Sequence, residues 1–414
     1  MPVIVEKQTA GSSVVADARA HGIGISTPKR EQKSVSVFIC ALVIFAIVNL
    51  LLWRYCYAEK HPVRGSGVDA NGENMWASTA SVDIAADQFK NLSNRADVVL
   101  LGSSLIMNTF WMMDRRDDPN LPDVFHYRGS RNLEHALSVA GEQQEHVFNM
   151  ASFGQMVSDS YIWANEFLKA PKTPDVVVLG VAPRDFYDAD LSAVMATFTF
   201  KRLVGLRNLP SYAELFLPRW TDKLDFVLNH ACYFYGKRWR LQHESDRFLL
   251  SSCRLLHLTP TAPKDKRPPR EQLLHQGFLM EAMTEDRWAN SKREYHRRYH
   301  DIDTADLSIQ YNFLARLLQL CHQRGIKVVL VDMPLSAENR AEMPAGFYRK
   351  FQDRLRAIAK APSVSYVDLS ESKQFNHEDF WDTAHLNANG GHKLVEQIMP
   401  ALQADLPAKT IPTQ

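Results

Sequence analysis

Two short segments carry side chains that could share a proton and attack an electrophile. In LLGSSLIMN, Leu100 to Asn108, a Gly followed by Ser closes an apolar run just ahead of a helical stretch. That placement sets the Ser104 hydroxyl at a crevice mouth, beside a helix amino terminus whose free N–H groups favour developing negative charge. The same residues also suit an ordinary serine N-cap. In FWDTAHLN, Phe380 to Asn387, Asp382 stands three residues ahead of His385. Across one turn of chain that carboxylate can hold the imidazole N–H and fix its tautomer, as a base acting on a hydroxyl requires. Read alone, the step is equally a capped turn before a helix beginning near Gly390. A metal-based alternative is poorer. HEDFW (377–381) begins like the zinc His-Glu-x-x-His pattern but has Trp381 at the second His, and His296 and His300 lie in YHRRYH, which reads as a solvated basic helix. No metal and no cofactor is expected.

These segments need a frame. Five apolar runs have the length and β-branched content of buried parallel strands: ADVVLLG (96–102), HVFNM (146–150), DVVVLGV (175–181), IKVVLVDM (326–333) and VSYVDL (364–369). Helical patterns separate most of them, at Arg131 to Glu142, Met156 to Leu168, Ala305 to Arg324, Phe347 to Ala359 and Gly391 to Gln403. The alternation predicts an α/β domain, a three-layer, doubly wound, five-stranded parallel sheet, with ligands bound beyond the strand carboxyl ends. It would occupy residues 79–186 and 304–405, followed by a tail at 406–414. Between the third and fourth strands lies a long insertion, 187–303, expected to be helical. Its aromatics, among them Phe198, Phe200, Tyr212, Phe216, Trp220, Tyr233, Phe234, Tyr235 and Trp239, are expected to form mostly a core of its own. KDKRPPR (264–270) reads as a solvated loop.

With 48 basic and 47 acidic residues the formal charge is +1, so no electrostatic footprint argues for nucleic acid. VSVFICALVIFAIVNLLLW, Val35 to Trp53, is an uncharged run of about 19 residues, long enough for a bilayer-spanning helix and too long for a usual cleaved leader. An uncleaved anchor is expected at 35–56, between a disordered cytoplasmic tail (1–34) and a tether (57–78). Lys29, Arg30 and Lys33 before the run and Arg54, Lys60 and Arg64 after it leave the charge rule near a tie. Cysteine usage leaves the compartment open as well: Cys232 and Cys253 suit either a bridge or free thiols, Cys321 reads as a buried thiol, and no Cys-x-x-Cys occurs.

GSSL at 102–105 is similar to the GDS(L) block that opens the SGNH, or GDSL-type, hydrolases, with Ser103 where Asp usually stands. NMASFG supplies Asn149 and Gly154 at the spacing of that family's second block, and DTAH supplies the final Asp-x-x-His, all in the family's chain order. The resemblance implies Ser104, His385 and Asp382 as catalytic, and Gly154, Asn149, Arg184 and Asp185 around the oxyanion or substrate. One block departs: where the family has Gly-x-Asn-Asp this chain has GVAPRDF, Gly180 to Phe186, with no oxyanion-donating Asn. Within the family the chain looks most like membrane-anchored DltD-like and alginate-acetylation-like members. That implies an O-acyltransferase working on a cell-surface polysaccharide or other envelope polymer, in company with a membrane-bound O-acyltransferase. It also implies a single-pass protein of the cytoplasmic membrane whose domain faces the periplasm or exterior. A catalytically weak scaffold and a carbohydrate esterase are the alternatives.

Overall fold

The computed structural model describes residues 31–57, 75–141, 145–189, 191, 194–236, 285–300, 302, 304–370 and 373–407. The chain divides into a unit ending at Ala58 and a unit from Glu59 onward. Residues 1–30 of the expected amino-terminal tail, most of the tether, Trp239, Cys253 and KDKRPPR lie outside the described residues.

In the second unit the five expected runs each hold one strand: β1 (Val98–Gly102), β2 (Val147–Asn149), β3 (Val176–Val181), β4 (Lys327–Asp332) and β5 (Val364–Asp368). They form one sheet in the order β2-β1-β3-β4-β5, and every neighbouring pair is parallel. Such pairs leave both faces to be covered, and the side chains alternate accordingly. Val99, Leu101, Val177 and Leu179 pack with Trp163, Leu314 and Leu318 from the Val157–Phe167 and Thr304–Gln323 helices. Val98, Leu100, Val176 and Val178 pack with Phe110, Leu394 and Ile398 from the Ser104–Asp117 and Ala388–Asp405 helices. Burying each such side chain contributes about 1.5–3 kcal/mol, which favours this strand register over any one-residue slip.

The chain runs outward from β1 to β2 and then crosses back to β3, so the connection order reverses at β1 and β3. Doubly wound sheets open a crevice at that switch point, at the strand carboxyl ends. Closeness there is extreme. Gly102 and Gly180 are register partners; a methyl built on Gly102, whose φ is +141°, would stand 2.6 Å from the Gly180 carbonyl oxygen, and one on Gly180 would strike Ile106. Only glycine lets the two strands and the following helix meet this tightly.

The insertion does not keep its aromatics to itself. Phe200, Tyr212, Phe216 and Phe226 join the buried cluster on one face of the sheet, and Tyr295 and Tyr299 join the other. A segment of short helices encloses too little volume for a separate core, so its rings bury against the sheet layers instead. On the Trp220–Ala231 helix, Trp220 stays exposed.

In the first unit, the apolar run lies within one helix, Glu31–Tyr57, and its described side chains, Val37 to Leu52, are exposed or half-exposed. Among the described residues no helix is long and apolar enough to cross a membrane. Cys232 carries a free thiol, as does the buried Cys321.

Candidate active site

The two serines after β1 divide the two readings between them. Ser103 is the N-cap of the Ser104–Asp117 helix, its hydroxyl 3.5 Å from the Leu105 N–H, and it is buried. Ser104, the first helical residue, is left to face outward from the helix amino terminus. Its Oγ lies 2.8 Å from His385 Nε2, bridging 281 positions of sequence. On the other side of the ring, His385 Nδ1 stands 3.0 and 2.9 Å from the two oxygens of Asp382. Because the carboxylate only accepts, Nδ1 is assigned the proton and Nε2 the lone pair toward the serine.

Asp382 is itself held in place. Its Oδ1 accepts the backbone N–H groups of Ala384 and His385, each at 2.8 Å. Burial alone would raise its pKa, but the imidazole and these donors outweigh it and hold the carboxyl below its ordinary range. Burial presses the His385 imidazole down, while the Asp382 carboxylate, with a smaller contribution from Glu294, lifts it above the ordinary histidine value. The His385 side chain is 13% exposed, so the base is reachable but largely removed from water. Trp381 packs edge-on to the ring at 6.0 Å and is capped by the Arg287 guanidinium at 4.4 Å. A cleft of about 340 Å³ adjoins the loop, lined among others by Ser336, Arg340, Ser370, Lys373, His377 and Phe380.

The second block closes in beside the serine: Ser152 N–H donates to the Gly102 carbonyl at 3.2 Å. Asn149 is buried and turned inward, its side-chain oxygen accepting the Ala151 N–H at 3.1 Å, so it shapes the loop. Gly154 has φ of +67°, a conformation few other residues adopt, and a methyl built there would lie 3.4 Å from Arg184 Nη2. The guanidinium that replaces the missing Asn therefore comes to rest beside Gly154. Asp185 turns back to accept the Ala182 N–H at 2.9 Å, and burial, opposed by Arg184, pushes its pKa up to about 6. Arg184 Nη1 stands 3.7 Å from Asp185, but Arg184 Nη2 makes its close contact with Asp188, at 2.8 Å. Of its two carboxylate neighbours, Arg184 is thus held chiefly by Asp188.

Three residues that the motifs do not announce support this rim. Arg128 is buried and donates to the carbonyl oxygens of Ala151 (2.7 Å), Ser81 (2.9 Å) and Phe125 (3.0 Å), tying down the second block. Burial pushes its pKa down to about 10. Asp188 and Arg298 form an ion pair beneath Arg184. The Glu285–Arg298 helix that carries Arg298 is corrected from a solvated basic helix to a half-buried one. Trp288 packs on His377, Ser291 Oγ lies 2.7 Å from Thr383 Oγ1, and Tyr295 is buried, all at helical spacing on one face. His296 points away to Glu342 at 2.9 Å and is largely exposed. Among the described residues no cluster of three or more His, Cys, Asp or Glu is placed to hold a metal ion.

No family model matches the chain, and no curated protein matches it. Among solved structures it is similar to a protein of Bacteroides fragilis described as a "putative acylhydrolase", at 12% identity over 79% of this chain and 98% of that one, with a TM-score of 0.37. At that level the function has to be argued from the hydroxyl, imidazole and carboxylate themselves.

Proposed function

We propose that the protein is a serine-dependent acyl-transfer enzyme. The observation that supports this reading is the unbroken hydrogen-bonded chain from Ser104 Oγ through His385 to Asp382, built from segments at opposite ends of the domain. His385 Nε2 takes the hydroxyl proton as Ser104 Oγ attacks an acyl carbonyl. Asp382 stabilises the imidazolium, which then returns its proton to the departing alkoxide. The backbone N–H groups of Ser104 and Gly154 receive the tetrahedral oxyanion, with Arg184 supplying the side-chain donor in place of Asn. In the second half-reaction His385 deprotonates an acceptor hydroxyl, which takes the acyl group and frees the serine.

The acceptor class follows from the resemblance to DltD-like and alginate-acetylation-like proteins: a surface polysaccharide or envelope polymer, reached from a membrane by way of the 35–56 helix, with a membrane-bound O-acyltransferase as partner. The altered third block is what favours the scaffold alternative, since a lost oxyanion donor costs about 2.7–4 kcal/mol of barrier. Labelling the full chain with a fluorophosphonate tests the choice. Wild type is expected to form an adduct that Ser104→Ala cannot form; no Ser104-dependent adduct overturns catalysis and leaves the scaffold. Acetate released from an acylated glycan without an added acceptor points to the esterase instead.

A further inference from the structure

The insertion sits between β3 and β4 in sequence, yet its last helix reaches back to the loop after β3. Asp188, whose side chain is 1% exposed, has its Oδ2 shared by two guanidinium groups: Arg184 Nη2 at 2.8 Å from the loop, and Arg298 Nη1 from the Glu285–Arg298 helix. Arg298 is in turn held by Glu294 at 2.8 Å, and its carbonyl accepts the Ala189 N–H at 3.3 Å. The nitrogen that Asp188 grips, Arg184 Nη2, is also the one that lies beside Gly154, while Nη1 stands 3.5 Å from the Gln155 carbonyl oxygen and 3.7 Å from Asp185. A carboxylate this deeply buried needs its partners, and a guanidinium that donates a charge-assisted hydrogen bond to it has little rotational freedom. The same helix also grips the Asp382 loop through Ser291 and Thr383, so a single rigid element spans both halves of the site.

We infer that Asp188 and Arg298 are positioning residues that act through Arg184, locking its guanidinium over Gly154 so that the insertion sets the side-chain donor for the oxyanion. The inference deepens the proposed function and rests on it. A donor free to swing would have to be ordered during the reaction, whereas a latched one is already in place. The latch uses one carboxylate for two cations, so removing Arg298 takes away one of the two guanidinium groups that fix the Asp188 oxygen on which Arg184 rests.

A double-mutant cycle on the full chain tests this, with thermal unfolding run alongside to confirm folding. Removal of a single oxyanion donor lowers rates by about 10²–10³ in serine enzymes, so Arg184→Gln is expected to slow fluorophosphonate labelling of Ser104 by about 10². Arg298→Gln and Asp188→Asn are expected to slow it by about 10, with Arg298→Lys recovering part of the rate. The decisive comparison is Arg298→Gln placed on Arg184→Gln, which is expected to cost nothing further. Additive losses, or an Arg298→Gln protein that labels like wild type, overturn the inference. Should wild type take no label, the function reading falls, and the latch is judged by calorimetric titration with inorganic phosphate. Affinity lost to the same degree in Arg184→Gln and Arg298→Gln supports it; no binding to wild type, or equal affinity in all three proteins, overturns it.

Discussion

The carboxyl rim of the sheet holds two buried carboxylates, Asp382 and Asp332, and with their neighbours they behave in opposite ways. In the final loop, Asp382 accepts two backbone N–H groups and an imidazole, and its pKa is held down. At the ends of β4 and β5, Asp332 and Asp368 are register partners. Burial and the Asp368 charge push the Asp332 pKa well up, its Oδ1 has no hydrogen-bond partner among the described residues, and the Tyr366 hydroxyl reaches its Oδ2 only at 3.4 Å. Asp368 takes the charge, held low by Ser370 and by Arg356 at 2.7 Å despite burial. Burial by itself therefore does not make a carboxylate reactive. What separates the two is where a proton can go: from Asp382 the chain of donors ends on a part-exposed serine hydroxyl, while around Asp332 the partners are tyrosine, serine and arginine in structural contacts.

The largest test of this contrast is Asp382→Asn against Asp332→Asn. Loss of the orienting carboxylate is expected to lower turnover or Ser104 labelling by about 10⁴, as in serine enzymes built the same way, whereas Asp332→Asn should stay within about twofold of wild type. Equal losses would erase the distinction. The pH profile sharpens it further. His385 works only as the neutral base, and its pKa lies above the ordinary value of about 6.5, so the rate should fall roughly tenfold per pH unit below a midpoint higher than that. In Asp382→Asn the same limb should move to lower pH, because the lifting charge is gone. The smallest effect is on stability. A carboxyl whose pKa is raised by folding contributes stability that is fully present below its unfolded value, near 3.9, and lost as pH rises through the folded one. Asp332→Asn is thus expected to gain on wild type in Tm between pH 4 and pH 8, by at least about 2 °C. A wild type that gained on the variant would reverse the account.

How far the sequence carries is visible in the same residues. The strands were legible because buried parallel strands are runs of Val, Leu and Ile, and the observed bounds fall inside the expected runs. The Asp382–His385 contact was legible because its partners are three residues apart. Ser104 was marked by Gly102 and by the helix that follows, although the sharing of duties with Ser103 needed coordinates. The Asp188–Arg298 pair spans 110 positions, and nothing local to either residue marks it. Arg128 escaped for a different reason: it is satisfied by carbonyl oxygens, and every residue has one. The insertion's aromatics were read as a private core because spacing tells that a ring is buried, not against what.

The glycine pair at the switch point bears on where substrate preference can be altered. With no side chain at Gly102 or Gly180, Ile106 drops into the space between the strands, two residues beyond Ser104. The reactive oxygen thus stands on a pedestal of main chain, and substitution beneath it can only jam the seat. Any change in what the Ser104 hydroxyl accepts therefore has to come from side chains outside this seat.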